Sequence, residues 1–443
     1  MGCPRVTQLP HLSPHPTFCA PSIDPIPAGI PSGKPLRPDT GGAASIHQRR
    51  STRRRALAAL AVALLLLGAC TGDGGGDDQP TAAAGSSDPK DLRGVCPDPV
   101  VIQTSWDPSA ESFGALYNLL GPNPQIDSKQ KRTTAPLTAQ DKDTGVKLEL
   151  RAGGPAIGFE KATTQLYADP KIHLAVPNAT DEVIQLSKTQ PTLAVLALVD
   201  IDPQLILWDP GTHPEFNIIA DIGQTDTTVL YFGGDTYMEY LVGTGILKKS
   251  QVDGSFEGDP ARFVAEQGEV AQSGYATSDP YVLENIPEWG KPVKFQLVYD
   301  TGYPNYGSLL SIRARDKDKL APCLEKLVPI VQQSQVDVHT KPDVQTRLID
   351  QTLKIADAYD SKNPYTTDSA KFALAQEQKL KLTGDGSPPN GTIGDFDMAR
   401  IQKMIQIVGP IFAAQRKPIK EGLKPEEVAT NEFINTSIGV NPN

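Results

Sequence analysis

The chain has 443 residues, 39% of them hydrophobic and 21% charged, with a formal net charge of −10. That leaves room for about two or three domains with a sizeable core. No Gly-x-y period runs through its 38 Gly and 40 Pro, which excludes a collagen-like chain, and recurring apolar runs exclude a wholly disordered one. Its basic residues form no sustained patch beyond one short N-terminal run, which argues against a nucleic-acid partner; five Cys are too few for a disulfide scaffold.

Residues 1–44 are rich in Pro, Ser, Gly and His without apolar periodicity, and read as an over-extended start. Five arginines between Arg49 and Arg55 then precede the apolar run Leu57 to Leu67 and Gly68-Ala69-Cys70. A basic stretch, a short apolar core and small residues before a boundary have the anatomy of an export signal, and the run is short for a transmembrane helix. Leu67-Gly68-Ala69-Cys70 resembles the bacterial lipobox, which implies that residues 1–69 are removed and that Cys70 carries the lipid. An uncleaved membrane anchor is the alternative. Removing residues 1–69 leaves 374 residues with net charge −16, an acidic surface that disfavours anionic partners. Residues 70–95, rich in Gly, Asp, Ala and Ser, read as a flexible tether. Besides Cys70, the exported chain keeps Cys96 and Cys323, which in an oxidising exterior more often pair than stay free. One disulfide closing a long loop is therefore expected, with two buried free thiols as the alternative.

The folded part alternates apolar strands with helical periods. Val100–Thr104, Val146–Arg151, Ile172–Val176, Thr192–Val199 and Gln204–Trp208 read as strands, with helices over Ser109–Leu120, Phe159–Tyr167 and Asp181–Ser187. A second cycle follows: strands over Thr227–Phe232, Gly268–Tyr275 and Val293–Tyr299, helices over Tyr237–Thr244 and from Asp259 to Gln267. Ser308–Arg313 reads as a strand able to return to the first lobe. Amphipathic helices follow at Leu320–Gln333, Val344–Tyr359, Ser369–Leu380 and Phe396–Gln415. Near-continuous apolar runs between helices predict mostly parallel, doubly covered sheets of the α/β class.

Several segments then carry a resemblance. Gly394-Asp395-Phe396-Asp397, Met398-Ala399-Arg400 and Thr430-Asn431-Glu432-Phe433-Ile434 in the tail, with Trp106-Asp107-Pro108 after the first strand, resemble bacterial solute-binding lipoproteins of ABC importers. The nearest group is the one binding nitrate, sulfonates, taurine and thiamine-pyrimidine precursors. Two features depart from it: Asp279-Pro280 replaces the usual Glu-Pro, and Asp127–Thr144 reads as an insertion. The resemblance covers residues 95–443. It implies a two-lobed, type II periplasmic-binding-protein-like fold, with a first lobe over 96–210, a second over 211–303, and a return with C-terminal helices over 304–443. It also implies a monomer without cofactor, held on the outer face of the cell membrane by its lipid, which delivers a small solute to an ABC permease.

Ligands of open α/β sheets sit beyond the C-terminal strand ends, and the candidates are read from there. In the first lobe these are Trp106, Glu111, Ser112, Gly154, Asp200 and Asp202. Trp106 can stack on a flat ligand or pack within its lobe, Glu111 can hold an amine or favour a helix dipole, and Gly154 and the two aspartates also suit plain turns. In the second lobe they are Gly234, Asp235, Thr236, Ser278, Asp279, Tyr281 and Tyr303. An anion pocket would present a well-placed cation. These ends carry acids and, apart from Arg151 inside a strand, no Arg or Lys, so the expected solute is neutral or weakly cationic, nitrogen-containing and organic, with a heteroaromatic or a sulfonate among the possibilities. The exported chain's three His (His173, His213, His339) show no metal spacing, and no C-x-x-C, Walker loop, G-x-S-x-G or EF-hand is present. An enzyme is therefore not expected. An exported hydrolase or transferase on a similar fold, and a surface interaction lipoprotein, are the alternative readings.

Overall fold

A computed structural model describes residues 88–361, 365–386 and 389–441. The export signal, most of the tether and Cys70 lie outside these residues.

The chain enters through β1 (Val100–Gln103), α1 (Gly114–Tyr117), β2 (Gln125–Asp127), β3 (Arg132–Ala139), β4 (Lys142–Arg151), α2 (Ala162–Ala168), β5 (Leu174–Ala175), α3 (Thr180–Leu186) and β6 (Thr192–Val199). It then crosses to β7 (Gln204–Trp208), α4 (Ile219–Ile222), β8 (Val229–Phe232), α5 (Thr236–Gly243), β9 (Val252–Phe256), α6 (Ala261–Ala265), β10 (Ala271–Tyr275), α7 (Asp279–Asn285) and β11 (Lys294–Leu297). It returns through β12 (Gly307–Arg313) and ends in α8 (Lys317–Thr340), α9 (Pro342–Tyr359), α10 (Thr367–Leu380) and α11 (Met398–Ala414).

Two sheets result, ordered β2-β3-β4-β1-β5-β12-β6 and β11-β7-β10-β8-β9. Among the described strands, only β1 with β4 and β5, and β8 with β9 and β10, pair in parallel. The sheets are therefore mixed rather than mostly parallel. The antiparallel share comes from the returning β12, from β7 and β11, and from the β2–β3–β4 meander.

The segment read as an insertion, Asp127–Thr144, supplies β3 and the start of β4 in that meander. β3 and β4 alternate buried and exposed positions, as an amphipathic hairpin does. Their two-residue turn holds Gln140 and Asp141 at φ of 50° and 63°, conformations usually given to Gly or Asn. β7, expected in the first lobe, lies in the second sheet. It hydrogen-bonds to β10 and β11, so the chain changes sheets at residues 200–203.

β6 is an edge strand buried along its whole length. Its free edge is covered by the tail: Ala194 N–H donates to Val428 O at 2.9 Å, and Ala197 N–H to Gly394 O at 2.9 Å. Cys323 in α8 is joined to Cys96, just ahead of β1, by a disulfide with Cα atoms 4.6 Å apart. Among the described residues no helix is long and apolar enough to cross a membrane.

Candidate functional site

The parallel strands of both sheets point their C-terminal ends toward two crossovers, residues 200–203 and 299–306. Six large hydrophobic residues are well exposed among those described, and four stand at these ends. Trp106 (41% exposed) and Phe159 (61%) follow β1 and β4, while Phe232 (44%) and Tyr275 (43%) close β8 and β10. Exposed aromatics gathered this way mark a binding surface rather than a core.

Two glycines seat the first pair. A Cβ on Gly153 would lie 2.3 Å from Thr104 O, and one on Gly154, whose φ is +54°, would lie 2.9 Å from the Trp106 ring. The indole thus lies on bare backbone, with the Phe159 ring centroid 5.8 Å away.

Three carboxylates line the crossover between these walls. Asp181 sits in the first turn of α3, Asp202 in the crossover and Asp235 between β8 and α5. Tyr303 donates its hydroxyl to Asp181 Oδ2 at 2.7 Å. Asn305 accepts from Asp181 N–H at 3.2 Å and donates Nδ2–H to Asp202 Oδ2 at 3.1 Å, so one side chain spaces two acids. Burial and then the Asp181 charge push both Asp202 and Asp235 up to about 7. Asp235 stands at the N-cap position of α5 without a side-chain capping bond, and the nearby Tyr237 side chain favours its charged form. Burial and the charges of Asp202, Asp235 and Asp181 hold the Tyr275 hydroxyl well above its usual range, which puts that end of Tyr275 beside the acids. The nearby cation is Lys161, which favours the charged form of Asp235 while bonding Gln185 Oε1 at 2.5 Å. Among the described residues no three His, Cys, Asp or Glu come together as a metal site.

Other residues expected at the site do different work. Asp200 is buried in an ion pair with Arg400 of α11 at 2.9 Å, so its carboxylate is not available to a ligand. Tyr303 is buried against Tyr240 and orients Asp181. Asp279 accepts from Tyr275 N–H at 2.8 Å and from the exposed Ser278 hydroxyl at 2.9 Å, fixing the turn that carries Tyr275. Tyr281 packs on Phe372 of α10, ring centroids 5.3 Å apart. Glu111 accepts from the Tyr365 hydroxyl at 3.3 Å, and burial raises its pKa; Ser112 is half-buried in the same turn. Gly234 is exposed at φ +103°, and Thr236 is buried at the start of α5.

Phe159, Asp181, Phe232, Tyr275 and Asn305 were not among the residues expected from sequence. The strand-end rule could have found Asp181, Phe232 and Tyr275; nothing local marks Asn305 or Phe159. A groove of about 640 Å³ lies elsewhere, on the first sheet beside α2, lined by Gln103, Arg132, Glu149, Arg151 and His173 among others. Its Arg151 is spent on Glu149 at 2.7 Å and Asp169 at 2.8 Å. We place the candidate site at the crossover, whose flanking strand ends carry exposed aromatics and whose acids have little cationic compensation.

No protein-family model matches this sequence, and no characterised protein matches it at the sequence level. Among solved structures the chain is similar to the periplasmic aliphatic sulphonate binding protein SsuA from Escherichia coli, at 14% identity over 74% of this chain and 94% of that one, with a TM-score of 0.46. It is also similar to the alkanesulfonate-binding protein SsuA from Xanthomonas axonopodis pv. citri bound to MOPS, at 12% identity over 76% and 99%, TM-score 0.45. The desulfurization enzyme DSZB is similar at 10% identity over 76% and 97%, TM-score 0.40.

Proposed function

We propose that this chain is an extracytoplasmic solute-binding protein of an ABC importer, which holds a small organic solute between its two lobes and passes it on unchanged to a permease. The observation that carries this reading is that exposed aromatics stand at the crossover-facing strand ends of both sheets, while three carboxylates with little cationic compensation lie along the crossover. Trp106 and Phe159 would cover one face of a flat solute, with Phe232 and Tyr275 opposite. Asp181, Asp202 and Asp235 would receive a protonated or hydrogen-bond-donating nitrogen, and a cation there would relieve their mutual repulsion. A sulfonate would meet repulsion instead, so the reading favours a neutral or cationic nitrogen compound, a heteroaromatic amine being the simplest form. The Cys96–Cys323 disulfide suits an oxidising exterior. Lipid attachment at Cys70 would hold the protein on the outer face of the membrane as a monomer.

Mass spectrometry of small molecules released from protein purified out of its own cells tests the reading directly. One stoichiometric nitrogen compound, released intact, is the expected result. Two results would overturn it: recovery of the compound in a chemically altered form, or a panel of organic amines and heteroaromatics that neither raises the melting temperature nor compacts the protein in small-angle scattering.

A further inference from the structure

We propose that residues 365–383 form an interlobe strap: a segment built onto the first lobe whose far end is seated in the core of the second, so that the cleft opens only when Leu382 withdraws. This goes beyond solute capture and does not depend on which solute is bound.

The near end is fastened to the first lobe. Ala110 N–H donates to the Tyr365 hydroxyl at 2.6 Å, that hydroxyl donates to Glu111, and Gln378 Nε2–H donates to His339 O of α8 at 2.9 Å. α10 then stops in a defined way. Lys381 turns left-handed at φ 53°, its N–H bonding Gln378 O, while Leu382 N–H bonds Glu377 O at 2.9 Å. That pair of bonds is the Schellman stop, which reverses the chain and drives the following residue against apolar surface.

Here most of the apolar surface belongs to the other lobe. Leu382 is fully buried in a cluster with Leu205 and Leu207 of β7, Leu230 of β8, Phe263 of α6 and Leu283 of α7, which Val199 at the end of β6 joins from the first sheet. Its carbonyl accepts from Ile201 N–H, in the crossover, at 2.9 Å. Phe372 meets Tyr281 of α7 from the middle of α10. The segment therefore spans from one lobe to the other and grips the crossover on the way.

The seat also carries a penalty. Glu377, one turn before the stop, is buried with its Oε2 unpartnered and 3.9 Å from His339 Nε2. A buried oxygen without a donor weakens the position that holds it, so the strap is seated firmly but reversibly.

The test uses the full-length protein without added solute, and its outcome is separate from the search for the solute. Leu382→Ala and Tyr281→Ala are each compared with wild type by amide hydrogen exchange and small-angle scattering. Both variants are expected to speed exchange at Ile201 and along residues 372–383, by about ten- to hundredfold for Leu382→Ala, and to enlarge the radius of gyration. Exchange in β1 and β4 is expected to stay as in wild type. The proposal falls if either variant lacks this localised pattern, or if exchange rises evenly across both sheets, because Leu382 would then be an ordinary core residue.

Discussion

Arg400 and Asp200 form an ion pair at 2.9 Å, buried where both crossovers pass. The guanidinium also donates to Asp200 O at 2.5 Å, Pro304 O at 2.8 Å and Asn305 O at 2.7 Å, and lies 3.5 Å from the Tyr306 ring centroid. One side chain from α11 thus ties the outgoing crossover to the returning one. Through Asn305, it also sets the spacing of Asp181 and Asp202.

Removing that charge strands a buried carboxylate and the carbonyls of Asp200 and Pro304, while Asn305 O keeps Asp202 N–H at 3.2 Å. Arg400→Met is expected to destabilise the protein by about 3–5 kcal/mol in denaturant unfolding, and Asp200→Asn by less, because the guanidinium keeps its carbonyl partners. A loss below about 1 kcal/mol for Arg400→Met would show that the crossovers hold together without it.

The acid cluster gives stability a pH dependence with a definite sign. Asp202 and Asp235 are held up to about 7, above the roughly 3.9 of an unfolded aspartate. The folded chain therefore binds more protons between these values, and stability declines as pH climbs from about 4 to about 7, then levels off. Asp235→Asn is expected to raise stability by about 1 kcal/mol at pH 8, a figure kept small because solvent screens the half-buried carboxylate, and to change little at pH 4. Melting curves across pH check this; equal shifts at both ends would remove the repulsion argument.

Trp106 offers the most direct probe of the cleft. Trp106→Ala is expected to weaken binding of the co-purifying solute by about 1–3 kcal/mol in calorimetry, with folding intact because the indole is largely outside the core. Unchanged affinity would move the solute away from the first lobe's aromatic wall.

The disulfide links residues 227 apart in sequence. Cys323→Ser is expected to lower unfolding free energy by about 2–5 kcal/mol, through the larger freedom of the unfolded chain. In the unreduced, denatured wild-type protein, Cys96 and Cys323 should resist thiol labelling; labelling at both would rule the bridge out.

Much of the fold was legible because its signals are local. The all-buried run Thr192–Val199 and the periodic helices over 320–333, 344–359 and 369–380 appear close to where periodicity puts them. β3 escaped notice because its turn is made by Gln140 and Asp141, held left-handed by the hairpin, with no Gly to advertise it. The sheets' mixed pairing was equally hidden, since an apolar strand covered on both faces reads the same whichever way its neighbours run.

The candidate site divides in the same way. Sequence alone determined that acids and aromatics follow many of the strands and that few cations do, because residue type and strand polarity are both local properties. Only the tertiary structure decided which acids face one another. Asp200 and Asp202 are two residues apart, yet one is neutralised by Arg400, 200 residues further on, while the other meets Asp181 across Asn305. A carboxylate's role depends on the charges and dielectric within a few ångströms of it, and chain folding sets those distances across long stretches of sequence.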